Sequence, residues 1–135
     1  MRKMILAVAL ALGGAAPAMA QELSVELNKV EPSEEACRLT FVTRNGLEAD
    51  LDKLVIETVF FDEEGVVLGL KTLNLGNVSQ DRPRVSAFPL SDIDCDAAAS
   101  VLVNGVSACE GEGIDAAACG DALEITNKSD LETLQ

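Results

Sequence analysis

The rhythm of the apolar residues is what most constrains this chain. Short runs alternate apolar and polar side chains, and turn residues interrupt them at intervals of roughly 8–15 positions. Leu23, Val25 and Leu27 alternate with Ser24 and Glu26, and Cys37, Leu39 and Phe41 alternate with Arg38 and Thr40. Successive side chains leave a strand on opposite sides, so period two marks a strand with one face against a core. Asn45-Gly46 marks a turn. Leu54 to Phe61, LVIETVFF, is a β-branched and aromatic run. Asp62-Glu63-Glu64-Gly65 follows, and the apolar pattern resumes from Val66 to Leu75. A short polar connection ending in glycine suits a type I turn with the glycine at positive φ, so this junction predicts an antiparallel hairpin.

Val85, Ala87 and Phe88 read as a further strand behind Pro83. Val101, Leu102 and Val103 start the next, which runs towards Cys109, and Leu123 and Ile125 form the last. The expected fold is all-β: a single antiparallel β-sandwich of about seven strands. Helical signals are short. Asp96-Ala97-Ala98-Ala99 and Asp115-Ala116-Ala117-Ala118 each read as an N-capped turn. Ser129-Asp130-Leu131-Glu132 matches a capping box, and the polar tail 127–135 reads either that way or as a frayed end. With four Phe and no Tyr or Trp, the core must come from Leu, Val, Ile and Ala. The same shortage argues against an aromatic sugar-binding face or an aromatic protein-binding hot spot.

Residues 1–20, MRKMILAVALALGGAAPAMA, have the organisation of a cleavable Sec-type signal peptide. Arg2 and Lys3 form the basic start, Met4 to Ala16 is apolar, Pro17 breaks the run, and Ala18-Met19-Ala20 supplies the small-x-small site. The run is shorter than the ~20 residues of a spanning helix. No cysteine lies near the cut to carry a lipid anchor. The expected product is one exported domain, 21–135, without membrane insertion, in the periplasm or, as the alternative, outside the cell. Loss of Arg2 and Lys3 moves the formal charge from −13 to −15. Such a surface repels nucleic-acid phosphates and anionic lipid and favours a basic patch on a partner.

Four cysteines in an exported chain, Cys37, Cys95, Cys109 and Cys119, read as two disulfides. The count alone leaves three pairings. The strand order selects one. Cys109 ends the sixth strand and Cys119 precedes the seventh, so they can clasp the loop between. Cys37 opens the second strand and Cys95 follows the fifth. In an immunoglobulin-like sandwich those strands are antiparallel neighbours, which predicts Cys37–Cys95 and Cys109–Cys119. There is no C-x-x-C pair, so neither a thiol–disulfide oxidoreductase nor a four-thiolate zinc site fits.

The chain has no histidine, which removes Ser-His-Asp and Cys-His catalysis and histidine metal ligation together. Bridged cysteines leave no thiolate nucleophile. Carboxylate chemistry remains, but Glu57 sits in a strand pattern and Asp62, Glu63 and Glu64 sit in a turn. Nothing marks two of them as facing across a cleft. No lysine, among them Lys29, Lys53, Lys71 and Lys128, stands beside a distinctive serine. Asp92-x-Asp94-x-Asp96 opens like a calcium loop, but Ala97 and Val103 occupy the positions that want Gly and a bidentate Glu. The sequence thus calls for no catalytic residue, metal or cofactor. Glu110-Gly111-Glu112-Gly113-Ile114, inside the expected Cys109–Cys119 loop, is the candidate contact loop.

At FFDEEG, residues 60–65, the chain resembles the immunoglobulin-like domains of bacterial envelope proteins, including the FxLYD type, in which an aromatic–Asp turn with Gly joins two strands. Leu39 to Asn45, a strand running into an Asn turn, is similar as well, and the likeness spans 22–126 by strand order. The whole is also similar to small exported proteins of Gram-negative bacteria. The resemblance implies the fold and an envelope setting, and it carries no catalytic residues. The expected function is a non-enzymatic accessory module that contacts an envelope protein through acidic loops or a sheet edge. The alternatives are a secreted inhibitor or effector acting through the Cys109–Cys119 loop, and a carboxylate-based hydrolase.

Overall fold

The structure, a computed structural model, describes residues 13–15, 21–34 and 36–135. Apart from 13–15, the expected signal peptide lies outside the described residues. The elements are β1 (Leu23–Ser33), β2 (Ala36–Asn45), β3 (Leu51–Phe61), β4 (Val67–Val78), β5 (Arg84–Leu90), β6 (Ser100–Gly111), α1 (Ala116–Ala122), β7 (Leu123–Asn127) and β8 (Glu132–Leu134). They form two four-stranded sheets, β5-β2-β1-β7 and β4-β3-β6-β8. The fold is therefore the expected all-β sandwich, with an eighth short strand.

The alternating residues read from the sequence line the space between the sheets. Leu23, Val25 and Leu27 of β1, Leu39 and Phe41 of β2, and Leu54, Ile56 and Phe60 of β3 are all buried there. Phe41 and Phe88 meet edge to face with ring centroids 6.0 Å apart; the rest of the core is largely aliphatic. Thr43 is the exception on this face. Its hydroxyl is buried with no hydrogen-bond partner among the described residues.

The hairpin between β3 and β4 forms as its sequence predicts. Asp62 Oδ1 accepts from the backbone N–H of Glu64 and of Val66, both at 2.9 Å. Gly65 takes the positive φ, 78°, that lets the turn close. Asp115 caps α1 by accepting from the Ala118 N–H at 2.9 Å. The other two capped turns differ from expectation. Around Asp96 the capping group is Asp94, whose side chain accepts from Asp96 N and whose carbonyl accepts from Ala97 and Ala98. Ser129 starts no helix. Its hydroxyl accepts from the Leu131 N–H and turns the chain into β8, with Leu131 buried beneath.

Four pairings, β1–β2, β2–β5, β3–β4 and β3–β6, are antiparallel. The two made by the C-terminal strands, β1–β7 and β6–β8, are parallel. Their cause is the path of the chain after β6. The α1 turn carries it across the end of the sandwich, so β7 joins β1, and the chain returns to lay β8 along β6.

Both disulfides pair as the strand order predicts: Cys37–Cys95 with S–S 1.98 Å and Cys109–Cys119 with 2.06 Å. Cys37 lies opposite Leu90 in the β2–β5 ladder, so a chain turning just beyond β5 brings Cys95 back over it. The second bridge ties α1 to the end of β6.

Among the described residues one charged group, on an outer face, is buried. Glu26 of β1 lies between Val42 of β2 and Thr126 of β7. Asn28 Nδ2 donates to Glu26 Oε1 at 2.8 Å, and Lys128 Nζ lies 3.6 Å from Oε2. The Asn28 hydrogen bond, aided by the charges of Lys128 and Arg44, outweighs burial and holds the carboxyl below its ordinary value of 4.5.

Two outcomes follow. On the chain-entropy account, replacing Cys37 and Cys95 by Ala should cost about 4 kcal/mol, and replacing Cys109 and Cys119 about 3 kcal/mol, read from urea unfolding. For Glu26, the folded state favours the ionised form, so its contribution is complete above pH 4.5 and declines as pH falls through the lower folded-state value. Glu26→Gln should therefore lower stability at pH 7, and the gap from the parent should shrink steadily below pH 4.5 in thermal melts.

Candidate functional site

A two-sheet sandwich leaves four strand edges, each a row of backbone groups able to pair with another chain unless something blocks them. Three of the four are guarded here. β5 follows Pro83 and carries Arg84 and Pro89. β7 has five residues and β8 three. The fourth, β4, has twelve residues and no proline. Across residues 65–80 the sole charged side chain is Lys71, in a chain of formal charge −13.

The two halves of β4 differ. In the second half Leu73, Leu75 and Val78 are buried, and β5 covers the edge with side chains. Ser86 Oγ donates to the Leu75 carbonyl at 3.0 Å, and Arg84 Nη1 donates to Asn77 Oδ1. The Arg84 guanidinium lies directly over Gly76, where a Cβ would come within 3.1 Å of it; Gly76 also holds φ at 82°. Glycine here meets both demands, the left-handed backbone and the close approach.

Among the described residues, the first half has no such cover. Val66, Val67, Leu68 and Leu70 are all exposed, Leu70 to 70%. What supports this half lies beneath it, in the loop after β5. Ile93, 2% exposed, packs under Gly69, where a Cβ would meet its Cδ1 at 3.2 Å. Asp92 Oδ2 accepts from Lys71 Nζ at 2.6 Å. Lys71, with help from Ser91, holds the Asp92 carboxyl below the ordinary aspartate range. The loop itself is tied back to β2 by Cys95–Cys37. The open half-strand is thus braced from below while its edge and outer side face solvent.

The apolar character continues across the sheet. Val55 and Val59 of β3 are buried yet lie outside the cluster between the sheets. They alternate with the inward-facing Leu54, Ile56 and Phe60, so they lie on the outer face. The ladders place Leu70 opposite Val59, Val59 opposite Leu102, and Leu102 opposite Leu134. One apolar row therefore crosses all four strands and ends at the open edge.

The residues singled out from the sequence fall elsewhere. Gly111 and Ile114 close the Glu110–Ile114 turn with a bridge, the Ile114 N–H donating to the Gly111 carbonyl at 3.2 Å. Ile114 packs towards the core, Gly113 takes φ 71°, and Glu110 and Glu112 point to solvent. The loop therefore presents carboxylates and no exposed apolar side chain. Asp92, Asp94 and Asp96 do not converge: Asp92 turns to Lys71, and Asp94 is engaged in its own turn. Among the described residues no three acidic or cysteine side chains gather to hold a metal ion.

Shallow clefts at the rims do hold carboxylates. One of about 270 Å³ is lined by Asp50, Asp52, Arg82 and Arg84, and another of about 480 Å³ by Lys29, Asp96, Lys128 and Asp130. All four acids are exposed. No helix among the described residues is long and apolar enough to cross a membrane.

No family model and no curated protein sequence matches the chain. Among solved structures it is similar to IrmA from Escherichia coli, with a TM-score of 0.62 and 13% identity. The match covers 78% of this chain and 91% of IrmA. At that identity the likeness shows a shared fold, a β-sandwich also found in a bacterial protein, and nothing of its role.

Proposed function

We propose that this chain is an exported, non-enzymatic binding module of the bacterial cell envelope that holds a protein partner along the open half of β4. One observation carries the reading. In a domain whose other three edges are short or guarded, the first half of β4 is apolar, nearly free of charge and, among the described residues, unpaired on its outer side. An exposed edge of this kind recognises an extended segment by adding it as a further strand.

Export is supported by the leader-like residues 1–20, by two formed disulfides and by the bacterial setting of the similar fold. A Sec-type signal and a periplasmic destination fit these features best, with the extracellular space as the alternative. The Asp62–Gly65 turn, with its aromatic entry and left-handed glycine, favours kinship with FxLYD-type envelope domains. A binding role without chemistry is favoured by the absence of histidine, by two bridges that use all four cysteines, and by the exposure of the cleft carboxylates. The Cys109–Cys119 loop ranks behind β4 as a contact. It would engage a partner by charge alone, and such contacts on a rim contribute little.

A photo-crosslinking side chain at Leu68 in the native envelope should capture one protein reproducibly, whereas the same probe at Glu112 should not. Leu70→Lys should cut that capture about tenfold, since a charge on the edge opposes strand addition, while leaving urea unfolding cooperative. Capture from Glu112 and not from Leu68 would transfer the contact to the disulfide loop and end this reading.

A further inference from the structure

Resting on β4 as a docking edge, we infer that its occupant is an extended segment with alternating apolar side chains and with lysine or arginine at the end lying over the Asp62–Gly65 turn. Each feature follows from what borders the open half-strand.

Length comes first. The open stretch runs from Val66, beyond the turn, to Lys71, ahead of the buried Leu73 and of Leu75 and Gly76, where Ser86 and Arg84 cover the edge. That window admits a strand of about six residues, roughly 20 Å long. Apolar alternation comes second. An added strand continues the outer face of the sheet, so every second side chain stands beside Leu68 or Leu70. It thereby prolongs the row formed by Leu70, Val59, Leu102 and Leu134. A polar residue there would leave that row uncovered.

Charge comes third. Asp62 is engaged in holding the turn, but Glu63 and Glu64 are exposed at the very end of the open stretch. Lys71, at the other end, is already neutralised by Asp92. The edge is therefore neutral along its length and negative at one tip. An incoming strand gains attraction by carrying positive charge at that tip and nowhere else. A second copy of this chain fits less well. It brings an equally acidic surface, and six paired residues fall short of the ~800 Å² per partner that stable interfaces bury.

The test uses synthetic eight-residue peptides alternating valine and threonine, with two lysines, two glutamines or two glutamates appended at the N- or the C-terminus. Binding to the folded, disulfide-bonded protein is read by fluorescence anisotropy. One lysine-ended peptide should bind about fivefold tighter than its glutamine counterpart, and the glutamate peptide weakest. Glu63→Gln with Glu64→Gln should erase that ranking, and so should about 0.5 M salt. Equal binding of all three endings overturns the charge inference and leaves the edge reading intact. A dimer in sedimentation that Leu70→Lys dissolves names a second copy as the occupant and likewise overturns it. If no peptide binds and Leu70→Lys leaves envelope crosslinking unchanged, the edge reading itself falls.

Discussion

The Cys37–Cys95 bond joins the fold to its candidate site. It fastens the loop after β5 to the start of β2, and that loop supplies both supports of the open half of β4. Ile93 fills the space under Gly69, and Asp92 neutralises Lys71. Without the tether the 91–95 segment would be held near β4 by Ile93 and the exposed Lys71–Asp92 pair, with the next fixed point at Ala99, whose N–H donates to the Phe61 carbonyl at 2.8 Å; exposed pairs contribute little by themselves. A core with few aromatic rings has limited reserve, and a covalent staple that restricts the unfolded chain compensates for it.

The treatment of the edges is the second organising fact. Sandwich proteins suppress strand addition by shortening edges, charging them or placing proline on them. β5, β7 and β8 use these devices, and β5 goes further by covering half of β4 with Ser86 and Arg84. Among the described residues the other half is left bare, although it has room for a charge at Val67, Leu68 or Leu70, all exposed. That contrast between guarded edges and one open stretch is the ground for proposing β4 as the docking edge.

Much of the architecture was legible because each strand obeys a local rule. Period two located β1 and β2, DEEG located the hairpin, and strand order was enough to pair the cysteines. The edge site was harder to read. LVIETVFF announces a strand through β-branched residues, but it breaks alternation because Val55 and Val59 are covered on the face away from the core. That break is the signal: a strand apolar on both parities is covered on both faces. The run from Val66 to Leu70 carries the same mark without the cover. The acidic Glu110–Ile114 segment is the more conspicuous in sequence, but its carboxylates face solvent and its one large apolar side chain, Ile114, packs towards the core. β8 was not legible because three residues of Glu-Thr-Leu carry no pattern, and their pairing depends on where α1 sends the chain.

The central claim is that the bond from Cys37 to Cys95 sustains the open half of β4 through the loop it anchors. Hydrogen exchange, followed by mass spectrometry on the parent and on Cys37→Ala with Cys95→Ala, tests it most directly. The account predicts that exchange accelerates most in residues 66–71 and 91–95, well beyond the change in β1 and β6. A uniform acceleration across both sheets, or no change at 66–71, would contradict it.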